Sequence, residues 1–148
     1  MASTYLSLHY HVIFATKDRR PMIADEWRDR LHTYLGGLAK KLNGFPQGVG
    51  GVADHVHALI GLPGTIAISD FVRDFKKRSS VWIHEELGVQ PFQWQTGFAA
   101  FTVGANARGG VKTYIANQEE HHRVKSSSEE LRELLAKAGL EYDERYFE

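Results

Sequence analysis

Period-two alternation runs through residues 5–16, YLSLHYHVIFAT, and returns at 55–62 after a stretch of helical spacing. In the first run Leu8, Tyr10, Val12 and Phe14 fall on one side and Ser7, His9, His11 and Ile13 on the other, the signature of a strand with one buried face. "KDRRP" breaks the pattern. Residues 24–43, ADEWRDRLHTYLGGLAKKLN, then place Trp27, Leu31, Tyr34, Leu35 and Leu38 at helical spacing. Asp25 and Glu26 come early and Lys40 and Lys41 late, as the helix dipole prefers. FPQGVGGVA, 45–53, reads as a strand paired in a hairpin with 55–62, and its glycines predict a bulge or kink. After the turn GLPGT, residues 66–87 predict a second amphipathic helix, with Ser69 as N-cap and Phe71, Val72, Phe75 and Trp82 inward. Residues 92–104 predict a fourth strand and 106–123 a third helix. A fourth helix, 126–140, opens on a Ser127-x-x-Glu130 capping box. The order β-α-β-β-α-β followed by helices is the α+β, ferredoxin-like (split β-α-β) pattern, an antiparallel sheet with its first and third strands side by side in the middle.

This pairing gives meaning to DHVHALIGLP, residues 54–63. On a strand His55 and His57 project together, while Val56, Ala58 and Ile60 project to the opposite face. If the apolar sets of both central strands face the helices, then His9, His11, His55 and His57 share the other face. Two imidazoles on one rigid strand can hold a divalent metal with positions left for substrate; the alternative is a half-buried strand whose polar face carries histidine. In YIANQEEHH, Tyr114 and Gln118 are four apart on one helix face, with His121 and His122 a turn further on. Singly these suit a core tyrosine, a surface glutamine and C-terminal cations. Together with a His-x-His strand they describe a nucleophile and a third metal ligand carried on one element.

Composition narrows the classes. The 148 residues are 43% hydrophobic and 24% charged, which predicts one globular domain over 1–148, with a core at about 5–124 and a C-terminal helix and acidic tail at about 126–148. The absence of cysteine excludes disulfides, thiolate metal sites and a cysteine nucleophile. No signal peptide or membrane-length apolar run is visible, so a soluble, cytoplasmic protein without a membrane partner is expected. The formal net charge is 0, which argues against coating nucleic acid by bulk charge. The charge is unevenly spread. Residues 129–148 carry seven acidic and three basic residues, leaving eleven acidic and fifteen basic in 1–128, a body of +4. Basic clusters stand at Lys17, Arg19 and Arg20, at Lys76, Lys77 and Arg78, and at Arg123 and Lys125. They are either phosphate contacts or solvated faces.

The stretches HVIFATKDRRP, DHVHALIGLP, FKKRSS, WQTGFAAFTVG and YIANQEEHHR occur in this order over roughly residues 9–123. In this they resemble the HUH-superfamily single-tyrosine transposases of small bacterial insertion sequences, a class that includes the REP-associated tyrosine transposases. His55-Val56-His57 matches the family's His-hydrophobic-His motif, and Tyr114 with Gln118 matches Tyr-x-x-x-Gln. The triplet His9-Tyr10-His11 has the same form, but the aspartate before His55 and the apolar run after His57 also match.

The resemblance implies a transposase that cleaves and rejoins single-stranded DNA carrying hairpin ends. His55, His57 and Gln118 would hold one Mg²⁺ or Mn²⁺, His11 and His121 would stand behind the ligands, and Tyr114 would attack phosphorus to give a 5′-phosphotyrosine. It also implies a homodimer whose sites join the histidines of one subunit to the tyrosine helix of the other. Both basic clusters at 17–20 and 76–78 fall in matching stretches and are the expected DNA contacts. Two other classes compete: a non-catalytic module that binds single-stranded or hairpin nucleic acid, and a metal-dependent phosphodiesterase that uses water and needs no Tyr114.

Overall fold

The computed structural model describes residues 3–144; residues 1–2 and the end of the expected acidic tail, 145–148, lie outside the described residues. In chain order the elements are β1 (His9–Ala15), α1 (Asp25–Lys41), β2 (Phe45–Val52), β3 (His55–Gly61), α2 (Ile68–Glu86), β4 (Ala99–Val103), α3 (Arg108–Ala116), α4 (Gln118–His121) and α5 (Ser127–Lys137). The sheet is antiparallel with strand order β2-β3-β1-β4. β1 and β3 therefore sit side by side at its centre, as the ferredoxin-like pattern requires.

Register settles which residues share a face. His11 lies opposite Leu59, Ile13 opposite His57 and Ala15 opposite His55. Directly opposed residues project to the same side, so the odd-numbered residues of both strands form one face. The even-numbered set, Val12, Phe14, Val56, Ala58 and Ile60, packs on Leu31, Leu35 and Leu38 of α1 and Phe71, Val72 and Phe75 of α2. Full burial of each large apolar side chain is worth about 1.5–3 kcal/mol, so this layer supplies most of the stability. Where the two helices meet, the rings of Tyr34 and Trp82 stack at 4.3 Å and 8°.

Four local expectations need correction. Ser69 is not the N-cap of α2. The helix is already running at that point, because Phe71 N bonds Ala67 O, and Ala67 holds the cap position without a side-chain bond. The fourth strand begins only at Ala99, because residues 92 and 94 before it are drawn inward. Phe92 and Trp94 enter the core, and the Trp94 indole donates to Ser79 Oγ at 3.0 Å. The third helix breaks at Asn117 (φ −101, ψ 23) into α3 and α4. The capping box of α5 sits one residue earlier than predicted. Ser126 Oγ accepts from Glu129 N at 3.2 Å and donates to Glu129 Oε1 at 3.1 Å, which turns Ser127 and Glu130 inward.

The histidine face is covered. Leu59 and Val103 pack against Ile115 of α3, with Val111 and Tyr114 at the edge. A glycine permits this docking. A Cβ on Gly50 would lie 2.4 Å from the Ile115 carbonyl oxygen and 3.0 Å from its Cγ2. The irregularity expected in the glycine-rich GVGGVA, 48–53, falls just before that run, as a register shift between Pro46 and Gly48. Gly50→Ala should therefore push α3 off β2 and lower stability by about 1–3 kcal/mol. Gly48→Ala, whose Cβ would meet only Lys112 Cγ at 3.5 Å, is the control. Thermal denaturation of both variants checks this, and equal midpoints would show that α3 yields freely.

Candidate active site

Three segments converge on the covered face: β3 with His55 and His57, the α3–α4 break with Tyr114, Gln118 and His122, and the first turn of α5 with Glu130. His55, His57, Gln118 and Glu130 are all 2% exposed or less. The Glu130 carboxylate is the hub. Its Oε1 lies 2.8 Å from His57 Nε2, 3.2 Å from His55 Nε2 and 3.3 Å from His122 Nε2. Its Oε2 accepts from the Tyr114 hydroxyl and, at 3.1 Å, from Gln118 Nε2, with His121 Nε2 at 3.3 Å.

Bonds on the far side of each ring fix its orientation. His55 Nδ1 donates to Asp54 Oδ1 at 2.7 Å, and the other oxygen of Asp54 accepts from Ser127 Oγ at 3.0 Å. His122 Nδ1 donates to the Lys125 carbonyl at 2.5 Å. His57 Nδ1 shares a 2.7 Å hydrogen bond with His11 Nε2. A carbonyl and a carboxylate can only accept. Neutral His55 and His122 therefore point bare Nε2 lone pairs inward, and there they meet only acceptors. Gln118 Oε1 lies 3.1 Å from the first and 3.0 Å from the second, with Glu130 Oε1 close to both.

Converging lone pairs are stable only if a cation, protons or a metal ion, lies among them. The donor atoms of His55, His57, His122 and Glu130 are all within 4.8 Å of one another. Donors placed about 2.0–2.3 Å from a common centre lie at most about 4.6 Å apart, so a small contraction of the cluster would let these residues hold one divalent ion.

The protonation equilibria reflect the same crowding. Burial opposes charge on His55, but hydrogen bonds to Asp54 and Glu130 outweigh it and raise its pKa to about 9. For His57 burial wins over the pull of Glu130, and the pKa falls to about 4. Burial and repulsion from His57 lower His11 to about 3. Glu130 is buried too, yet the bonds from His122, His55 and His57 hold it well below the usual carboxylate range. Burial and the Glu130 carboxylate push the Tyr114 phenol up.

Most of the sequence-predicted residues meet here: His55, His57, Gln118, Tyr114, His11 behind His57, and His121 at the edge. His9 does not; its Nδ1 pairs with Gln47 Nε2 at 2.7 Å. Glu130 and His122 are additions. SSSEE contains two overlapping Ser-x-x-Glu pairs. Only one can cap a helix, and the other is then free to face inward.

The basic clusters flank a single segment. Lys17 N bonds Gln93 O, and Lys76 Nζ donates to the carbonyls of Gln95 and Gly97 at 2.6 and 2.7 Å. Lys76 is thus an anchor of that segment, and Arg19 donates to Ser127 Oγ at 3.2 Å. Lys17, Arg20, Lys77 and Arg78 are exposed.

The shifts set a pH profile for metal-free protein. As pH falls from 6.5 towards 4, the unfolded chain binds protons that His57 and His11 resist, so stability declines. As pH rises from 6.5 towards 9, the charge on His55 is lost and its contribution disappears. The melting midpoint in chelator should peak near pH 6.5. A midpoint that climbs steadily to pH 9 would contradict a charged His55.

Comparisons with known proteins place the chain in a family. The family model "Transposase IS200 like" matches residues 4–118. The transposase of insertion sequence element IS200 from Salmonella typhimurium is 29% identical over 130 residues, covering 84% of this chain and 85% of that protein. The ISDra2 transposase TnpA of Deinococcus radiodurans is 30% identical over 121 residues, 76% of this chain and 85% of its own length. Among solved structures, a candidate transposase from Deinococcus radiodurans superposes with a TM-score of 0.64 at 27% identity, covering 80% of this chain and 95% of that one. A REP-associated tyrosine transposase bound to a REP hairpin shares the fold, with a TM-score of 0.60 at 16% identity over 82% and 73% of the two chains. The matched stretch takes in the histidine pair, the tyrosine and the glutamine, and the chain belongs to the IS200-like transposase family.

Proposed function

We propose that this transposase cleaves and rejoins single-stranded DNA through a 5′-phosphotyrosine intermediate formed on Tyr114. The observation that carries the reading is the convergence of a tyrosine hydroxyl, two strand histidines and a buried glutamine around one carboxylate. Tyr114 Oη attacks the scissile phosphorus, the 3′-oxygen leaves with the bonding electrons, and, with the phenol proton lost and one taken up by the leaving oxygen, a 5′-phosphotyrosine and a free 3′-hydroxyl remain. Because a phosphodiester is exchanged for a phosphodiester, another 3′-hydroxyl can reverse the step without an energy source.

His55, His57 and Gln118, with His122 and Glu130 beside them, would hold a divalent cation. When bound, it polarises the scissile phosphate and neutralises charge developing on the leaving oxygen. A set with three imidazole nitrogens suits Mn²⁺ better than Mg²⁺, which prefers oxygen donors. Asp54 and His11 hold His55 and His57 in their orientations from behind.

Lys17, Arg20, Lys77 and Arg78 are the exposed cations proposed to meet phosphates, on either side of the segment that Lys76 anchors. Hairpin ends as the recognised DNA accord with the hairpin held by the REP-associated relative. A homodimer is also part of the proposal, although one chain by itself supplies Tyr114 and the histidines to the same site. Among the described residues no helix is long and apolar enough to cross a membrane.

Incubation with single-stranded hairpin DNA and Mn²⁺, followed by a denaturing gel, should trap a covalent adduct. Tyr114→Phe should abolish that adduct and leave hairpin binding within about twofold, since the ring is kept. An adduct on the phenylalanine variant would remove Tyr114 as nucleophile. Cleavage without an adduct in both proteins would favour a water-dependent phosphodiesterase.

Alanine at His55 or His57 should eliminate Mn²⁺-dependent cleavage. Alanine at His11 should reduce it about 10–100-fold through the loss of the bond to His57, and alanine at His9 should have little effect. Equal loss at His9 and His55 would assign the ion to the other triplet.

A further inference from the structure

The family match ends at Gln118, and α5 lies beyond it. Yet this helix inserts a carboxylate into the middle of the site. Glu130 is 2% exposed, and with Ser127 it forms the buried start of the helix. Both its oxygens are engaged, and they divide the site between them: Oε1 faces the imidazole Nε2 atoms of His55, His57 and His122, and Oε2 takes the Tyr114 hydroxyl.

We infer that Glu130 is a ligand and positioning residue: Oε1 completes the donor set for the divalent cation, and Oε2 holds the Tyr114 hydroxyl, so that one carboxylate fixes the nucleophile relative to the ion. The inference rests on the proposed chemistry of Tyr114. The donor set supports it, because an anionic oxygen among three imidazoles supplies charge that the neutral amide of Gln118 cannot.

The attachment of α5 supports it independently. Ser127, one turn before Glu130, donates to Asp54, the carboxylate that orients His55. Both inward residues of the helix start are thus bonded to the histidine pair, one directly and one through Asp54. The Ser126 cap then fixes the helix start from which Glu130 projects. The opposing reading makes Glu130 a plug, a carboxylate standing where a phosphate should enter.

Binding of Mn²⁺ alone to the full chain, without DNA, separates the two. It can be followed by the loss of the free-ion electron paramagnetic resonance signal. Glu130→Gln should weaken Mn²⁺ binding about tenfold or more and remove most of the Mn²⁺-induced rise in melting temperature. Glu130→Asp, which keeps the charge on a shorter stem, should recover part of both. Tyr114→Phe should bind Mn²⁺ like the parent protein. At saturating Mn²⁺ and with hairpin affinity unchanged, Glu130→Gln should also slow single-turnover adduct formation.

Wild-type Mn²⁺ affinity in Glu130→Gln would overturn the inference, and faster adduct formation would identify the plug. If Glu130→Gln does not fold, Glu130→Asp decides alone: unchanged Mn²⁺ binding overturns the ligand role, and weakened binding in a protein with parental thermal stability in chelator supports it. Failure of the tyrosine chemistry would be visible separately, as Mn²⁺ binding that depends on Glu130 in a protein that forms no adduct.

Discussion

The buried carboxylate of Glu130 ties two otherwise separate layers together. On one side stand the histidines of β3, fixed by the sheet; on the other stand Tyr114, Gln118 and His122, carried by helices that share few apolar contacts with that sheet. A buried charge is tolerable only when it is fully paired, and removing one partner of such a group typically costs about 3–5 kcal/mol. The arrangement is therefore close to all-or-none. Either the C-terminal helices bring their polar groups onto the strand histidines, or the carboxylate must leave the interior. This dependence explains why a helix outside the sheet's own core, α5, is nonetheless bound to it through Ser127 and Glu130.

Much of this was legible in the sequence, and the reason is periodicity. The alternation in YLSLHYHVIFAT and HVHALIG assigned His11, His55 and His57 to one face before any pairing was known, and the β1–β3 register keeps them there. The four-residue spacing of Tyr114 and Gln118 likewise put both side chains on one aspect of their segment, despite the break at Asn117. What could not be read was anything set by a one-residue choice. Ser126 and Ser127 compete for the same cap, and sequence spacing does not say which of them wins. That choice determines whether Glu129 or Glu130 is buried. Lys76 shows a similar limit. As sequence it is one of three adjacent cations, and only the path of residues 92–98 past α2 gives its ammonium two carbonyls to hold.

Neutral overall charge has a counterpart in this geometry. With a formal charge of 0 the molecule has little long-range attraction for a polyanion. The exposed cations at the end of β1 and on α2 are instead brought to either side of one short segment. The charge on His55 is internally balanced by the carboxylates of Asp54 and Glu130, so without a metal ion the site adds no cationic attraction of its own. Under the proposed function, attraction for phosphate would therefore be local and depend on the fold.

The shallow seam under α3 bears on how the molecule could cycle. The principal core joins three layers of large side chains, whereas the apolar part of the α3 interface is Ile115 against Leu59 and Val103. Burial on that scale is worth a few kcal/mol at about 25 cal/mol per Å², so the polar bonds to Glu130 carry much of the attachment. The tyrosine thus rides, with His122, on a segment held to the sheet chiefly by polar bonds at Glu130, whereas His55 and His57 belong to the sheet itself. Under the proposed chemistry, a strand joined to Tyr114 would follow that segment whenever the Glu130 bonds are released, while His55 and His57 stay with the sheet.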